Sequence, residues 1–530
     1  MNIPEYEIYI QSYSWLPIVS VLLFLLSVAL FESLQNKFIS LLSLSLGAFA
    51  LFSFMALADP FLHDWDEQYH ALVAKNMINH FFTPTLLENP ILYYNEIGGS
   101  AWIGTHIWIH KQPFFLWQMA LSMKVFGVNL FAMRLPSILM ASLIPILIYR
   151  IGTIIKSKYI GFYAALVFLA SDLTLSLVSG RLNTDHNDVA FLFYITASFW
   201  AWFEYKRSKN TKWLYLIGLL SGIAILVKWL VGLIVYAGWG LSVLLDSENR
   251  AKVKSFFNIA KSLLITIIVA LPWQLYILWR FPRISRFEYA YNSKHLWKAV
   301  EGHDGDWLYH FHRMDSLFTP YFNYLILIVF IGFLFIKIDR KYKIAITSWV
   351  FIVYAFFSIA ATKMPAFTVI VAPLLFIILA SVIFQILDAL ISNKRSLMFV
   401  RIFLVIIGFY SLFNFGELNN KPDWRAEYWK QFYTEVQSFE KIDAMNLSGN
   451  SRFFNFYHYG SVRFMFQTNY QSRKFIPKKE EIETLKKADI EIYIFDNGKL
   501  PDYIIKDQSI TKIISPIWPD SQVEDLIIYR

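Results

Sequence analysis

Runs of apolar residues roughly 17 to 25 positions long recur along this chain, and each can carry a helix across roughly 30 Å of hydrocarbon. They fall at 16–31, 38–58, 135–153, 159–178, 189–204, 213–227, 229–245, 258–279, 320–337, 344–361, 366–390 and 399–415. About twelve spans of this kind predict an α-helical polytopic membrane protein. Basic residues collect in short loops at every second crossing: Lys156/Lys158, Lys206/Arg207/Lys209/Lys212, Arg250/Lys252/Lys254, Lys337/Arg340/Lys341/Lys343 and Lys394/Arg395. Lys and Arg mark cytoplasmic loops. The N-terminus, segment 59–134, turn 180–188, segment 281–319 and everything after 416 are then expected outside.

After 416 the pattern changes to a charged and polar one, with β-like runs such as Ile490-Glu491-Ile492-Tyr493-Ile494-Phe495 and a helical period near 478–488. The expected organisation is a transmembrane domain over 1–416, with outer loops 59–134 and 281–319, followed by a small extracytoplasmic α/β domain over 417–530. No internal repeat of 20 to 50 residues is visible.

Composition supports the membrane reading: 56% of the 530 residues are hydrophobic and only 16% are charged. The net charge of +9 calls for no nucleic-acid partner, because the basic residues sit where orientation explains them. The absence of cysteine excludes thiolate metal sites, disulfides and a cysteine nucleophile. Glu5 and Glu7, with no Lys or Arg beside them, precede the first run, so it is expected to be a retained span and not a signal peptide.

The chemistry gathers on the expected outer face. His63-Asp64-Trp65-Asp66-Glu67-Gln68-Tyr69-His70 opens a predicted amphipathic helix over 64–80, with Tyr69, Leu72, Val73, Asn76 and Met77 on one face. Asp64 and Glu67 have the spacing of an N-cap and its N3 partner. That leaves Asp66 without a required structural role and makes it the first candidate for chemistry. Arg181-Leu182-Asn183-Thr184-Asp185-His186-Asn187-Asp188 sits at the outer end of two successive spans. Asp188 reads as part of a polar turn, whereas Asp185 should face the pocket that holds Asp66. His110-Lys111-Gln112-Pro113 precedes an apolar run at 114–127. Lys111 there either snorkels or holds a lipid-linked phosphate as a point charge. His303, His310 and His312 add imidazoles on the same side, and His110 with His303 and an oxygen ligand would suffice for a small Zn²⁺ site.

Several segments together resemble the GT-C membrane glycosyltransferases of the protein-mannosyltransferase and aminoarabinose (4-amino-4-deoxy-L-arabinose) transferase type. They are DEQYHALVA from Asp66 to Ala74, HKQPFFLWQMALSMKVFGVNLFAMRLPS over 110–137, Asn183-Thr184-Asp185, GIAILVKWLVG from Gly222 to Gly232, Ala270-Leu271-Pro272-Trp273 and Thr362-Lys363-Met364-Pro365. The resemblance covers roughly 55–390 and includes the order of the segments. It implies that Asp66 is the catalytic base or its orienting carboxylate, with Glu67 and Asp185 supporting it. Lys111 would bind the phosphate of a polyprenyl-phosphate sugar, helped by Arg134 or His303. Two departures stand out: Gln112 replaces the first Pro of a Lys-Pro-Pro run, and His110 stands where the aminoarabinose enzymes tend to have Glu. The second puts in question a divalent metal (Zn²⁺, Mg²⁺ or Mn²⁺) at His110 and His303.

The resemblance implies an inverting transfer of a sugar from a polyprenyl phosphate to an acceptor hydroxyl of lipid A, a glycan or a protein. The expected setting is the outer face of a bacterial inner membrane. The alternative from another class is a transporter or flippase of lipid-linked sugars, which should carry ionisable groups at mid-membrane depth and related halves. Neither is clear in the sequence.

Overall fold

The computed structural model describes residues 9–34, 36–88, 90–92, 101–182, 185–246, 250–318, 320–415, 423–518, 521 and 523–530. Among these, seven helices are long and apolar enough to cross a membrane, or nine if each of two bent helix pairs is one span. The difference from twelve has identifiable sources. The runs at 213–227 and 229–245 form one element, Lys212–Leu244, continuous through a 3-10 turn at Trp229–Leu233. His186–Ser208 and Lys394–Phe415 are long helices outside that count. Trp, Tyr and terminal charges make the first of these less apolar than its neighbours.

Position in the bundle follows from how apolar each helix is all round. Pro365–Leu390 is 89% buried and central, whereas Tyr9–Glu32 and Val253–Arg280 are 22% and 28% buried and present Leu, Ile and Val outward. Lipid offers no hydrophobic drive for helices to associate, so small and hydroxyl residues make the close contacts. Ser27 and Ser40 each donate to the other's carbonyl at 2.8 Å, joining the first two spans. A Cβ on Gly152 would lie 2.5 Å from the Cα of Gly161, so only glycine lets Leu130–Ile155 and Lys158–Phe168 meet there.

On the expected outer side, the helix Asp66–Met77 packs against Phe114–Phe126. It begins at Asp66 and not at 64, with Trp65 in the N-cap position and no side-chain cap hydrogen bond. The capping box expected from Asp64 and Glu67 is therefore not formed. Nor does it keep the exposed polar face expected of an amphipathic helix: Glu67 to Ala74, Asn76 and Met77 are all buried, because other elements cover it on several sides.

Beyond residue 422 the chain forms a helix, Asp423–Asp443, and a five-stranded sheet: β1 Ser451–Phe454, β2 Gln471–Arg473, β3 Glu491–Phe495, β4 Ile510–Ile514 and β5 Ile527–Tyr529. The order is β2-β1-β3-β4-β5, parallel except for the β4–β5 pair. Parallel neighbours need crossovers, and Gly460–Gln467, Lys479–Lys487 and Asp502–Ile505 lie in them. Phe453, Phe456, Phe464, Phe495 and Ile513 pack on one face of the sheet, and Ile482, Leu485, Ile492, Ile494 and Ile510 on the other. The proposed boundary at 416/417 lies outside the described residues.

Candidate active site

Asp66 and Glu67 are consecutive, and the helix sends their carboxylates to different surroundings. Asp66 Oδ2 accepts from Lys111 Nζ at 2.9 Å, with the two side chains 14% and 22% exposed. Burial pushes the Asp66 carboxyl up, but the Lys111 ammonium, followed by the charge of His70, outweighs it and holds the group below the ordinary carboxylate range. The same pairing lifts the Lys111 ammonium above its ordinary value against the opposing effect of burial.

Glu67 is sealed. Arg134 donates from Nε to Oε1 at 2.7 Å and from Nη2 to Oε2 at 3.0 Å, the His63 N–H donates to Oε2 at 2.7 Å, and His186 Nε2 lies 3.1 Å from Oε1. Gly180, at φ +75°, lies directly over it; a Cβ there would be 2.3 Å from Glu67 Oε1. Arg134 spends its remaining donors on the carbonyls of Ala56, Asp59 and Phe61. Two site expectations are corrected here. Arg134 has no exposure and no donor left for a phosphate, and Glu67 has no open face for catalysis. Together they anchor the start of the Asp66 helix to the Leu130–Ile155 span.

Asp185 is also fully buried, with Oδ1 2.9 Å from His70 Nδ1. It caps His186–Ser208 through the Asn187 N–H and holds the His70 ring one helical turn from Asp66. Asn183 and Thr184 of the same motif lie outside the described residues. Asp188, expected as a turn residue, is instead a buried partner of Lys228 Nζ, which also lies over the Phe367 ring.

His110 pairs with Glu288 at 2.8 Å and stacks on Trp102 at a centroid distance of 4.9 Å. His303 uses its backbone carbonyl to accept the Lys363 N–H at 3.0 Å. Among the described residues, no group of three or more His, Asp or Glu side chains is placed to hold a metal ion. The residues do not fit the expected His110–His303 metal, and no step below runs through one.

Two residues near Lys111 carried no clear signal in the sequence. Glu301 accepts from Trp102 Nε1 at 3.1 Å and from Tyr291 Oη at 2.8 Å, and its charge reaches Lys111. The His295 imidazole is lowered to about 4 by burial first and then by Lys111, so it is neutral at pH 7. The signal for both was weak: an acid and an imidazole in a loop. A cavity of about 520 Å³ lies where Pro60–Leu62, the Val128–Phe131 turn and helix Asp423–Asp443 meet; neither Asp66 nor Lys111 lines it.

Comparison with known proteins agrees with this architecture. Residues 110–276 match the family model described as dolichyl-phosphate-mannose-protein mannosyltransferase. An undecaprenyl phosphate-alpha-4-amino-4-deoxy-L-arabinose arabinosyl transferase of Pseudomonas fluorescens is 24% identical over 348 residues, 62% of this chain and 56% of the relative. A protein of Aquifex aeolicus is 26% identical over 321 residues, 59% of this chain and 58% of the relative. The alignments thus span a little over half the length of these curated relatives. The crystal structure of ArnT from Cupriavidus metallidurans bound to undecaprenyl phosphate superposes with a TM-score of 0.58 at 14% identity, covering 88% of this chain and 92% of that one. The apo oligosaccharyltransferase of Archaeoglobus fulgidus gives 0.50 at 13% identity, covering 83% and 65%.

Proposed function

We propose that this chain is a glycosyltransferase of the GT-C type, similar to the protein mannosyltransferases and aminoarabinose transferases, that moves a sugar from a polyprenyl phosphate to an acceptor hydroxyl. The observation that carries the reading is the Asp66–Lys111 pair: a carboxylate and an ammonium in contact and only partly enclosed. The names of the relatives support a polyprenyl-phosphate donor. The basic loops support a site on the outer face of a bacterial inner membrane, where the isoprenoid remains in the bilayer while its head group reacts. The acceptor class is lipid A, a glycan or a protein.

The pair also supplies an order of events. Lys111 carries three donors and, among the described residues, spends one, on Asp66, so an arriving phosphodiester finds a cation already in place. As the phosphate takes a share of that charge, Asp66 loses part of what depresses its pKa and becomes a better base. Asp66 then takes the proton of the acceptor hydroxyl and the oxygen bonds to the anomeric carbon. The bond from that carbon to the phosphate oxygen breaks with its electron pair, and the polyprenyl phosphate leaves on Lys111. A single displacement inverts the anomeric centre. General-base assistance contributes roughly 10²–10⁴-fold, with positioning and charge stabilisation supplying the rest. No observation favours the flippase alternative.

The test is sugar release from radiolabelled polyprenyl-phosphate sugars by the protein in lipid nanodiscs, for wild type, Asp66→Asn and Lys111→Ala. Turnover by wild type that both variants lose supports the reading. Consumption of no donor with any acceptor mixture, together with movement of lipid-linked sugar across vesicles, overturns it.

A further inference from the structure

Asp66 is held by Lys111 on one side, but the two residues before it are held by a part of the chain almost 400 positions away. Arg463, in the helix Gly460–Gln467 that follows β1, donates from Nη1 to Asp64 Oδ1 at 2.6 Å and to Gln68 Oε1 at 3.1 Å. Its Nε and Nη2 are braced on Glu435 at 3.0 and 3.2 Å, and its guanidinium lies over the Phe432 ring at 4.2 Å. The Tyr428 hydroxyl accepts the Asp64 N–H at 3.3 Å, and the Trp65 ring packs on Tyr459 with centroids 5.3 Å apart.

Between these grips Trp65 adopts φ +64° and ψ −124°, a conformation a bulky L residue rarely occupies. Strain of this kind persists only where the surroundings over-determine it. At the other end of the Asp66 helix, Lys75 Nζ donates to the carbonyls of Met465, Phe466 and Thr468 at 2.8, 2.9 and 2.6 Å, capping the end of Gly460–Gln467. The two helices therefore hold one another at both ends.

We propose that the C-terminal sheet domain is a working part of the transfer site: Arg463, with Tyr459 behind Trp65, is a positioning residue that holds the strained turn and thereby aims Asp66. This rests on the transferase reading given above. Released from Arg463, Trp65 relaxes to an ordinary backbone conformation and the carboxylate that follows it swings away from the Lys111 side. Displacement of a reacting group by about 1 Å costs on the order of 10²-fold in rate. Lys111 has no contact with the clamp among the described residues, so donor binding should be spared.

The experiment measures kcat and donor KM in nanodiscs for wild type, Arg463→Gln, the milder Asp64→Asn and the double variant Arg463→Gln/Trp65→Gly, with hydrogen exchange over residues 62–70. Expected results are a fall of about 10²-fold in kcat for Arg463→Gln at nearly constant KM, a smaller fall for Asp64→Asn, and faster exchange over 62–70 in both. Glycine occupies the Trp65 conformation without strain. Trp65→Gly should therefore restore part of the lost kcat, which a role in domain docking alone does not predict. Unchanged kcat and exchange in Arg463→Gln overturn the proposal, as does loss of activity that follows loss of folded protein in Arg463→Gln and is absent from Asp64→Asn. If wild type consumes no donor, the transferase reading fails, and the exchange data then decide the clamp separately.

Discussion

Asp66–Lys111 and Glu67–Arg134 are two acid–base pairs whose acids are neighbours in sequence, and they are built in opposite ways. Arg134 directs all its donors inward, to Glu67 and three carbonyls, and neither member of that pair is exposed. Among the described residues Lys111 makes one hydrogen bond, to Asp66, and both members keep a partly open face. Charge and position along the helix do not separate structure from chemistry here. The number of donors still unspent, and whether they face a space a substrate can enter, does. The residue types follow that division: a planar fork can be saturated by fixed acceptors, whereas a compact ammonium can change partners.

The largest expected effect tests the open pair. Asp66→Asn should lower transfer by at least about 10²–10⁴-fold, the usual contribution of a general base, while leaving the fold intact because Asn still accepts from Lys111. Sugar release and thermal unfolding of the same preparation check both halves. Comparable losses of stability and activity would make Asp66 a second structural acid and erase the contrast. Glu67→Gln should do the reverse. Removing one member of a sealed pair strands the Arg134 charge and costs about 3–5 kcal/mol, with activity per folded molecule largely kept. Arg134 depresses the Glu67 carboxyl far below the ordinary range against the push of burial. Its stabilisation is therefore present above the unfolded carboxylate pKa and lost only as pH falls through the much lower folded value.

How far the chain could be read in advance follows the same division between local and distant partners. The spans, the β3 run at 490–495 and the helix near 478–488 were legible because hydrophobic period is a local signal. Asp66 and Lys111 stood out from the spacing and order of their motifs, and the structure places them in contact. The capping box was misread because Asp64 and Glu67 have the right local spacing but take distant partners, Arg463 and Arg134. Arg134 looked like an anion ligand because an arginine near the end of a span is equally suited to a phosphate and to a buried carboxylate. His70–Asp185, Lys228–Asp188 and the Arg463 clamp join residues 40 to 399 positions apart. Nothing in a single sequence registers such pairs, nor the strand order that carries Arg463 to Asp64.

A pH profile separates the pairs more finely. In wild type the acidic limb of kcat/KM should lie below the ordinary carboxylate range, since Lys111 outweighs the upward push of burial on Asp66. In Lys111→Ala only the lesser influences of His70 and His110 oppose that push, and the acidic limb of the residual activity should move to higher pH. The stability linkage follows the direction of the shift. With a depressed pKa, Asp66 stabilises the fold above its unfolded value and loses this as pH falls through the folded value. With a raised pKa it destabilises the fold at neutral pH and recovers on acidification. An acidic limb that stays fixed in Lys111→Ala would remove Asp66 from the base role.

Glu301 gives the smallest effect and the finest division of the open site. It hydrogen-bonds Trp102 and Tyr291, not Lys111, yet its charge helps hold the Lys111 ammonium in its protonated form. Lys111 remains protonated at neutral pH without it, because Asp66 is the nearer and larger influence. The main consequence of Glu301→Gln should therefore fall on the donor: a negative charge near the proposed phosphate site is removed while the cation stays. For a partly screened charge worth roughly 0.4–1 kcal/mol, donor KM should fall about two- to five-fold. The change should shrink as salt is raised and leave kcat unaltered. A rise in KM would instead mean that Glu301, through Trp102 and Tyr291, shapes the donor pocket. Its hydrogen bonds would then matter more than its charge, and it would belong with Glu67 as a residue that builds the site without acting in it.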